Sequence, residues 1–222
     1  MTISEPMTLI TDYVLAAVTA WLCFSLLKHR ESQRSRLLWA VAFAALAVGA
    51  LLGGTWHGFF QNDYLWKATV LTVGVASFAM VAGSAFAALS GAVRHVLIWV
   101  AGGKLLTYVY WTPRHDEFIY VVIDSGIAFA LVAALHLWRF NAWVVAGVAV
   151  SLVAALVQAS GFAPHPHFNH NDLYHVIQIA AMVLLYRGAR VFRDSQGARA
   201  SGAPPAPPAR RGPSPGAAES PP

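Results

Sequence analysis

The chain alternates between long apolar runs and short polar connections, and this alternation predicts its elements. Seven runs approach the ~20 residues that an α-helix needs to cross the hydrocarbon of a bilayer. They are Leu9–Leu27, Leu37–Phe59, Leu65–Leu89, Val93–Trp111, Phe118–Trp138, Ala142–Ser160 and Asp172–Val191. Short connections place neighbouring helices antiparallel. The pattern predicts an all-α polytopic membrane protein with seven transmembrane helices over residues 1–193.

The last part of the chain departs from this pattern. From Asp194 to Pro222 the residues are mostly Pro, Ala, Gly, Ser and Arg. Such a segment has too little apolar surface to offset the entropy of ordering it. Residues 194–222 are therefore predicted to form a disordered tail.

Composition places the chain in the membrane class. It is 57% hydrophobic and 11% charged, whereas soluble domains carry about 25% charged residues. The lipid bilayer is therefore the expected partner. The net charge of +5 comes from residues in short loops, so no nucleic-acid partner is expected. One cysteine, Cys23, excludes a disulfide within the chain and a cysteine-rich metal site. Nothing in the sequence indicates the oligomeric state.

The basic residues predict the orientation. Only Arg114, with Lys67 at an edge, falls in the loops on the first side of the membrane. The loops on the other side hold Lys28, Arg30, Arg34, Arg36, Arg94, Arg139, Arg187, Arg190 and Arg193. Because basic loops stay in the cytoplasm, the N-terminus is expected outside and the C-terminus inside. In a bacterium this predicts the inner membrane, with the tail cytoplasmic.

Ionisable residues collect in the outer half of the predicted bundle. Asp12, His57, Lys67, Lys104 and Asp124 lie at similar shallow depths on five successive helices. Charged groups inside a membrane are costly, so they face the bundle interior or a wet cavity. We therefore expect one polar pocket that opens outward. Lys104 is expected to form an ion pair with Asp12 or Asp124.

A histidine-rich stretch, His165 to Gln178, leads into the last predicted helix. It holds four of the nine histidines: His165, His167, His170 and His175. The prolines beside His165 and His167 favour an exposed loop. If Asn169 or Asn171 caps the helix, then Asn171, His175 and Gln178 form a polar stripe over its first turns. The stretch is typical of a metal site or a proton-handling site.

One further histidine ends the second predicted helix at the same depth. His57 stands in the stretch Gly53–Gly58, beside Trp56. A hydrogen-bonded histidine at the headgroup level would explain it alone. Together with His170 and His175 it would supply three ligands to a zinc ion and leave one position for water. Zinc lowers the pKa of such a water and so generates hydroxide.

Carboxylates near these histidines are candidates for catalysis. Asp172, Asp124 and Asp63 lie at the same side of the membrane, and each could accept a proton from a bound water. For Asp172 there is a structural alternative, because an acid in the first turn interacts favourably with the helix dipole.

Seven helices, with a histidine late in the second and histidines opening the seventh, resemble the CREST superfamily of membrane hydrolases. That superfamily includes the alkaline ceramidases and the adiponectin/progestin receptors. The resemblance implies a zinc ion held by three histidines and an activated water that cleaves a lipid amide. The superfamily's helix-two serine is Gly53 here, and Asn171 stands four residues before His175, with His170 one step earlier. The helix-seven stretch also resembles a group of bacterial membrane proteins that have no assigned mechanism.

Three functions follow from these patterns. The first is a zinc-dependent hydrolase that acts on a lipid amide or ester, with His57, His170 and His175 as ligands. The second is a non-catalytic sensor that binds a small ligand or a lipid headgroup in the polar pocket. The third is a proton-coupled transporter with an intramembrane relay formed by Asp12, Lys67, Lys104 and Asp124.

Overall fold

The computed structural model describes residues 3–115 and 117–196, and within these ranges the protein is all-helical without a strand. This confirms the predicted all-α class. Residues 197–222 of the predicted tail, and Asp116, lie outside the described residues. The helices are α1 Pro6–Lys28, α2 Arg34–Gly58, α3 Asp63–Ala88, α4 Gly91–Trp111, α5 Ile119–Trp138, α6 Ala142–Ser160 and α7 His170–Arg190, with a 3₁₀ turn at Thr112–Arg114.

The starts of four helices are fixed by a proline or by a capping side chain. Pro6 opens α1, where its missing N–H has no partner to lose. Asn62 caps α3 and Asn141 caps α6, each with its side-chain oxygen on a backbone N–H. At α7, Asn169 and Asp172 form a capping box in which each side chain accepts from the other's backbone N–H.

Six of the helices form a closed ring in the order α1, α2, α3, α5, α6, α7. Helix α4 lies outside the ring and packs mainly against α3. We call the end of the bundle at which α7 begins the histidine end, and the opposite end, at which α7 finishes among arginines, the arginine end. Both names are kept below.

The exterior of the bundle is that of a membrane protein. Five helices, α1, α2, α3, α5 and α6, are long and apolar enough to cross a bilayer. Large apolar side chains point outward, among them Trp21, Trp99, Leu106 and Leu156, each more than 60% exposed. A soluble protein rarely exposes apolar surface on this scale, whereas lipid covers it. The finding is compatible with an integral membrane protein.

Glycines allow helices to approach closely at two crossings in the ring. A Cβ at Gly54 of α2 would lie 2.9 Å from Cβ of Asp12 on α1. A Cβ at Gly188 of α7 would lie 2.9 Å from the backbone nitrogen of Val144 on α6. Small residues thus bring backbones together where apolar attraction between helices is weak.

The chain continues past α7 and returns to the arginine end of the bundle. The carboxylate of Asp194 accepts the backbone N–H groups of Arg34 and Ser35, at 2.8 and 2.9 Å. It thereby caps α2 from a distant part of the sequence. Arg36 donates from Nε to the carbonyl oxygen of Phe192, at 2.8 Å. We call residues 192–195 the C-terminal clasp.

The clasp is anchored by one buried aromatic ring. Phe192 is 4% exposed. Its ring stacks on His136 of α5, with centroids 4.8 Å apart, and meets Trp39 of α2 edge-on at 5.9 Å. His136 in turn lies with Nε2 3.1 Å from the hydroxyl of Ser84 on α3. The clasp therefore ties three helices of the ring to the end of α7.

Candidate functional site

The centre of the candidate site is His175, which is buried between α7 and α1. Its Nδ1 lies 3.0 Å from the hydroxyl of Thr11, and its Nε2 lies 3.2 Å from Oδ1 of Asp12. Both partners come from the second turn of α1. Consecutive residues of one helix therefore engage both nitrogens of one imidazole.

The hydroxyl of Thr11 also contacts its own helix, since it donates to the carbonyl oxygen of Thr8, at 3.1 Å. A hydroxyl that donates its one proton in this way accepts a hydrogen bond from His175, which corresponds to the tautomer with a hydrogen on Nδ1. Nε2 of His175 and Oδ1 of Asp12 are within ion-pair distance. Asp12 and His175 thus form a buried pair of ionisable side chains.

Asp172 is held by structural hydrogen bonds. Its Oδ1 accepts from the hydroxyl of Thr8, at 2.9 Å, and its Oδ2 accepts the backbone N–H of Asn169, at 2.7 Å. The first bond joins α1 to α7, and the second closes the capping box. Both carboxylate oxygens are therefore engaged in fixing the start of α7, in line with the structural alternative for this acid.

His57 has a partner of its own. Its Nδ1 lies 3.0 Å from Oε2 of Glu5, and its ring meets Trp56 edge-on. The hydroxyl of Ser4 donates to the backbone carbonyl of His57, at 2.7 Å. The segment before α1 is thus fastened to the end of α2.

The three predicted zinc ligands lie at the histidine end, but they are not gathered into one ligand set. His170 is the first residue of α7, His57 is paired with Glu5, and both nitrogens of His175 are engaged by α1. Over residues 3–115 and 117–196, no three His, Cys, Asp or Glu side chains are grouped closely enough to hold a metal ion. The zinc site stays a prediction.

The remaining predicted acids lie apart from His175. Asp124 of α5 forms an ion pair with Lys104 of α4, one of the two partners expected for that lysine. Asp63 is exposed in the first turn of α3, which Asn62 caps. The expected single polar pocket is therefore divided. One cluster joins α1, α2 and α7, and a separate charge pair ties α4 to α5.

A cavity of about 120 Å³ adjoins Asp12 and His175. It lies among α1, α2, α3 and α7, and on α1 its lining extends from Asp12 to Thr19. Seven residues at 1.5 Å each make this about 10 Å. The polar part of the wall comes from Asp12, Thr19, Tyr174, His175 and Gln178, and the rest from Leu15, Leu46, Gly49, Ala50, Val73 and Met182. Mostly apolar walls with a few convergent polar groups are typical of ligand sites.

Sequence reasoning did not select two residues on which this site depends, Thr8 and Thr11. The signal that points to them is a spacing on α1. Thr8, Thr11, Asp12 and Thr19 recur at intervals of three, four and seven, which marks a single polar face on an otherwise apolar helix. Because α1 and α7 each carry a polar stripe on an apolar helix, the sequence predicts that these two polar faces pack against each other.

Comparisons with known proteins leave the activity of this site open. No curated protein and no solved structure matches the chain significantly. A family profile described as "Family of unknown function (DUF6962)" matches residues 7–194, which include every helix that builds the site. The chain therefore belongs to the DUF6962 family.

Proposed function

We propose that the protein crosses the membrane seven times, with its N-terminus outside and its C-terminus inside. Helices α4 and α7 are less apolar than the other five, since α4 carries Arg94 and Lys104, and α7 carries a polar stripe. Each has 21 residues, about 31 Å at 1.5 Å per residue, which matches a hydrocarbon core of about 30 Å. His175 and Gln178 of this stripe are buried inside the bundle, so they do not meet lipid.

The charges at the two ends support this orientation. At the arginine end the described acids are Glu31, which pairs with Arg36, and Asp194, which caps α2. The cytoplasmic side of a bacterial inner membrane is the expected location of that end. The histidine end and its cavity would then face the periplasm.

Within this topology, we propose that the protein binds a small molecule in the cavity beside Asp12 and His175. The single observation that supports this proposal is the cavity itself, which has buried polar side chains within a largely apolar wall. A molecule with one hydrogen-bonding group and a short apolar part would complement it. This is the sensor or binding function, without a catalytic step.

The zinc-dependent hydrolase is kept as a second candidate because one observation favours it. His57 and His175 both belong to the polar network of the histidine end, and each has a carboxylate partner from α1 or the segment before it. A metal-bound histidine commonly donates a hydrogen bond from its other ring nitrogen to a carboxylate. The transporter has less support, because Lys104 and Asp124 pair with each other away from His175.

A cavity-filling substitution tests the binding proposal. Val73 of α3 lines the cavity, whereas Val75 of the same helix is exposed. The probes are n-butylamine, n-butanol and butyrate, which share an apolar chain and differ in the polar group. Saturation-transfer NMR on protein in deuterated-lipid nanodiscs should detect at least one of them.

The signal should disappear in Val73→Phe, whose larger ring occupies the cavity, and persist in the matched control Val75→Phe. If no probe gives a signal, or if Val73→Phe leaves every signal unchanged, the binding proposal is wrong.

A further inference from the structure

The cavity wall presents hydrogen-bond acceptors that have no protein donor. Oδ1 of Asp12 faces His175, but no described residue donates to Oδ2 of the same carboxylate. The amide nitrogen of Gln178 donates to the hydroxyl of Ser151, at 3.2 Å, which turns Oε1 of Gln178 away from Ser151. No described residue donates to that Oε1 either.

These two acceptors belong to side chains that line the cavity. Asp12 is 4% exposed and Gln178 is 8% exposed, so neither faces bulk solvent. Among the described side chains, the polar atoms that are fully enclosed and have no hydrogen-bond partner are Ser35 Oγ, Trp39 Nε1, Ser77 Oγ, Thr112 Oγ1, Asp124 Oδ2 and His136 Nδ1. Oδ2 of Asp12 and Oε1 of Gln178 are not in this group, so neither is fully enclosed by protein. Each oxygen therefore keeps some accessible surface, and both residues line the cavity.

The cavity also lacks a basic side chain of its own. No lysine or arginine is among its lining residues, and Lys104 is held by Asp124. His175 uses both ring nitrogens on α1. A carboxylate oxygen and an amide oxygen therefore remain without a donor in a largely apolar space, which is costly unless a ligand supplies one.

From this inventory we propose that the ligand is a small primary amine, bound as its ammonium ion. This inference rests on the proposed binding function and names its chemical class. The ammonium group has three N–H donors and no acceptor, which complements Oδ2 of Asp12 and Oε1 of Gln178. Its short apolar chain lies against Leu15, Val73 and Met182. A carboxylate would meet Oδ2 of Asp12 and Oε1 of Gln178 as a further acceptor, and an alcohol offers one proton where an ammonium offers three.

The three four-carbon probes test the amine directly. Competition by saturation-transfer NMR at neutral pH should rank n-butylamine above n-butanol, and n-butanol above butyrate. A hydrogen bond to a charged group is worth about 1.5–3 kcal/mol, so the amine should bind about tenfold or more tightly than the alcohol.

Two substitutions test which side chains cause the preference for the amine. Asp12→Asn replaces the ionisable carboxylate by a neutral amide and should reduce amine binding about tenfold while leaving n-butanol binding within about twofold. Gln178→Met keeps the length of the side chain without its oxygen and should reduce amine binding by a smaller factor. This second variant tests the site independently if Asp12→Asn does not fold. Asp63→Asn, at an exposed carboxylate, is the matched control and should change nothing.

The outcomes separate this inference from the function on which it rests. If n-butanol or butyrate binds as tightly as n-butylamine, and the signal is lost in Val73→Phe, the cavity is a binding site but the amine is wrong. If none of the three probes binds, both proposals fail.

Discussion

At the scale of the residue, the contacts of the two ring nitrogens of His175 determine whether this side chain is available to bind a metal ion. Thr11 engages one nitrogen and Asp12 engages the other, so a metal ion would have to displace a buried partner. Displacing Asp12 would leave a buried carboxylate without its partner, which is costly in an apolar environment. The arrangement therefore favours the pairing of His175 with Asp12 over the binding of a metal ion by His175.

Metal content checks this interpretation. Elemental analysis of detergent-purified protein should find well below one zinc per chain, and the same amount in His57→Ala and His175→Ala. His95→Ala is the control, because His95 is exposed at the arginine end of α4. One zinc per chain, lost in both His57→Ala and His175→Ala but retained in the control, would restore the hydrolase as the first candidate.

Several site residues could be found from the sequence, because their spacing on a helix shows which face they share. Asn171, His175 and Gln178 follow the turns of α7, and His175 and Gln178 are buried as a polar stripe in a bundle requires. What spacing on one helix cannot give is the partner across the interface. The bonds from Thr8 to Asp172 and from Thr11 to His175 each span 164 positions of sequence. They depend on the packing of α1 against α7.

At the scale of the element, the helices could be predicted from the apolar runs of the sequence. The contacts between helices, in contrast, depend on individual small residues. Gly147 and Gly188 show this for the pair α6 and α7. An ideal Cβ at either position would lie 2.9 Å from a backbone nitrogen of the neighbouring helix. A backbone atom cannot turn aside as a side chain can, so the two helices would have to separate.

A single methyl group tests this contact. Gly188→Ala should lower the unfolding temperature in detergent, because overpacking of this kind costs about 1–3 kcal/mol. Gly103→Ala on α4 is the matched control, since a Cβ there meets nothing within 4 Å. It should leave stability unchanged or raise it slightly, because alanine is the better helix former. Equal unfolding temperatures for the two variants would show that the α6–α7 crossing adjusts freely.

The segment that follows α7 shows what composition alone cannot detect. Its residues from Asp194 onward have the make-up of a disordered segment, yet Asp194 and Ser195 belong to the clasp, in which Asp194 caps α2 and the N–H of Ser195 donates to the carbonyl oxygen of Phe86. Composition averages over a window, so it cannot detect one carboxylate placed on one helix terminus.

At the scale of the whole molecule, the ring of six helices sets the histidine end and the arginine end apart, and the orientation of the ring decides which side a ligand comes from. The orientation can be tested with single introduced cysteines, because Cys23 is the only cysteine of the sequence and one substitution removes it. His167, between α6 and α7, and Arg139, between α5 and α6, are both exposed and lie at opposite ends.

Single cysteines read out the orientation. In a Cys23→Ser background, His167→Cys should react with a membrane-impermeant maleimide added to intact spheroplasts, whereas Arg139→Cys should react only after lysis. This follows from the proposed outward position of the histidine end. The reverse pattern would place the cavity on the cytoplasmic side.

The C-terminal clasp also determines the order in which the protein can be completed. Ribosomes deliver α2 long before they deliver Asp194, so the first turn of α2 lacks this side-chain cap until residue 194 has been made. A product that stops after Arg190 would contain α1 to α7 and still lack this connection. Fusion partners and affinity tags therefore belong beyond residue 196, where they leave the fastening between the first half and the last intact.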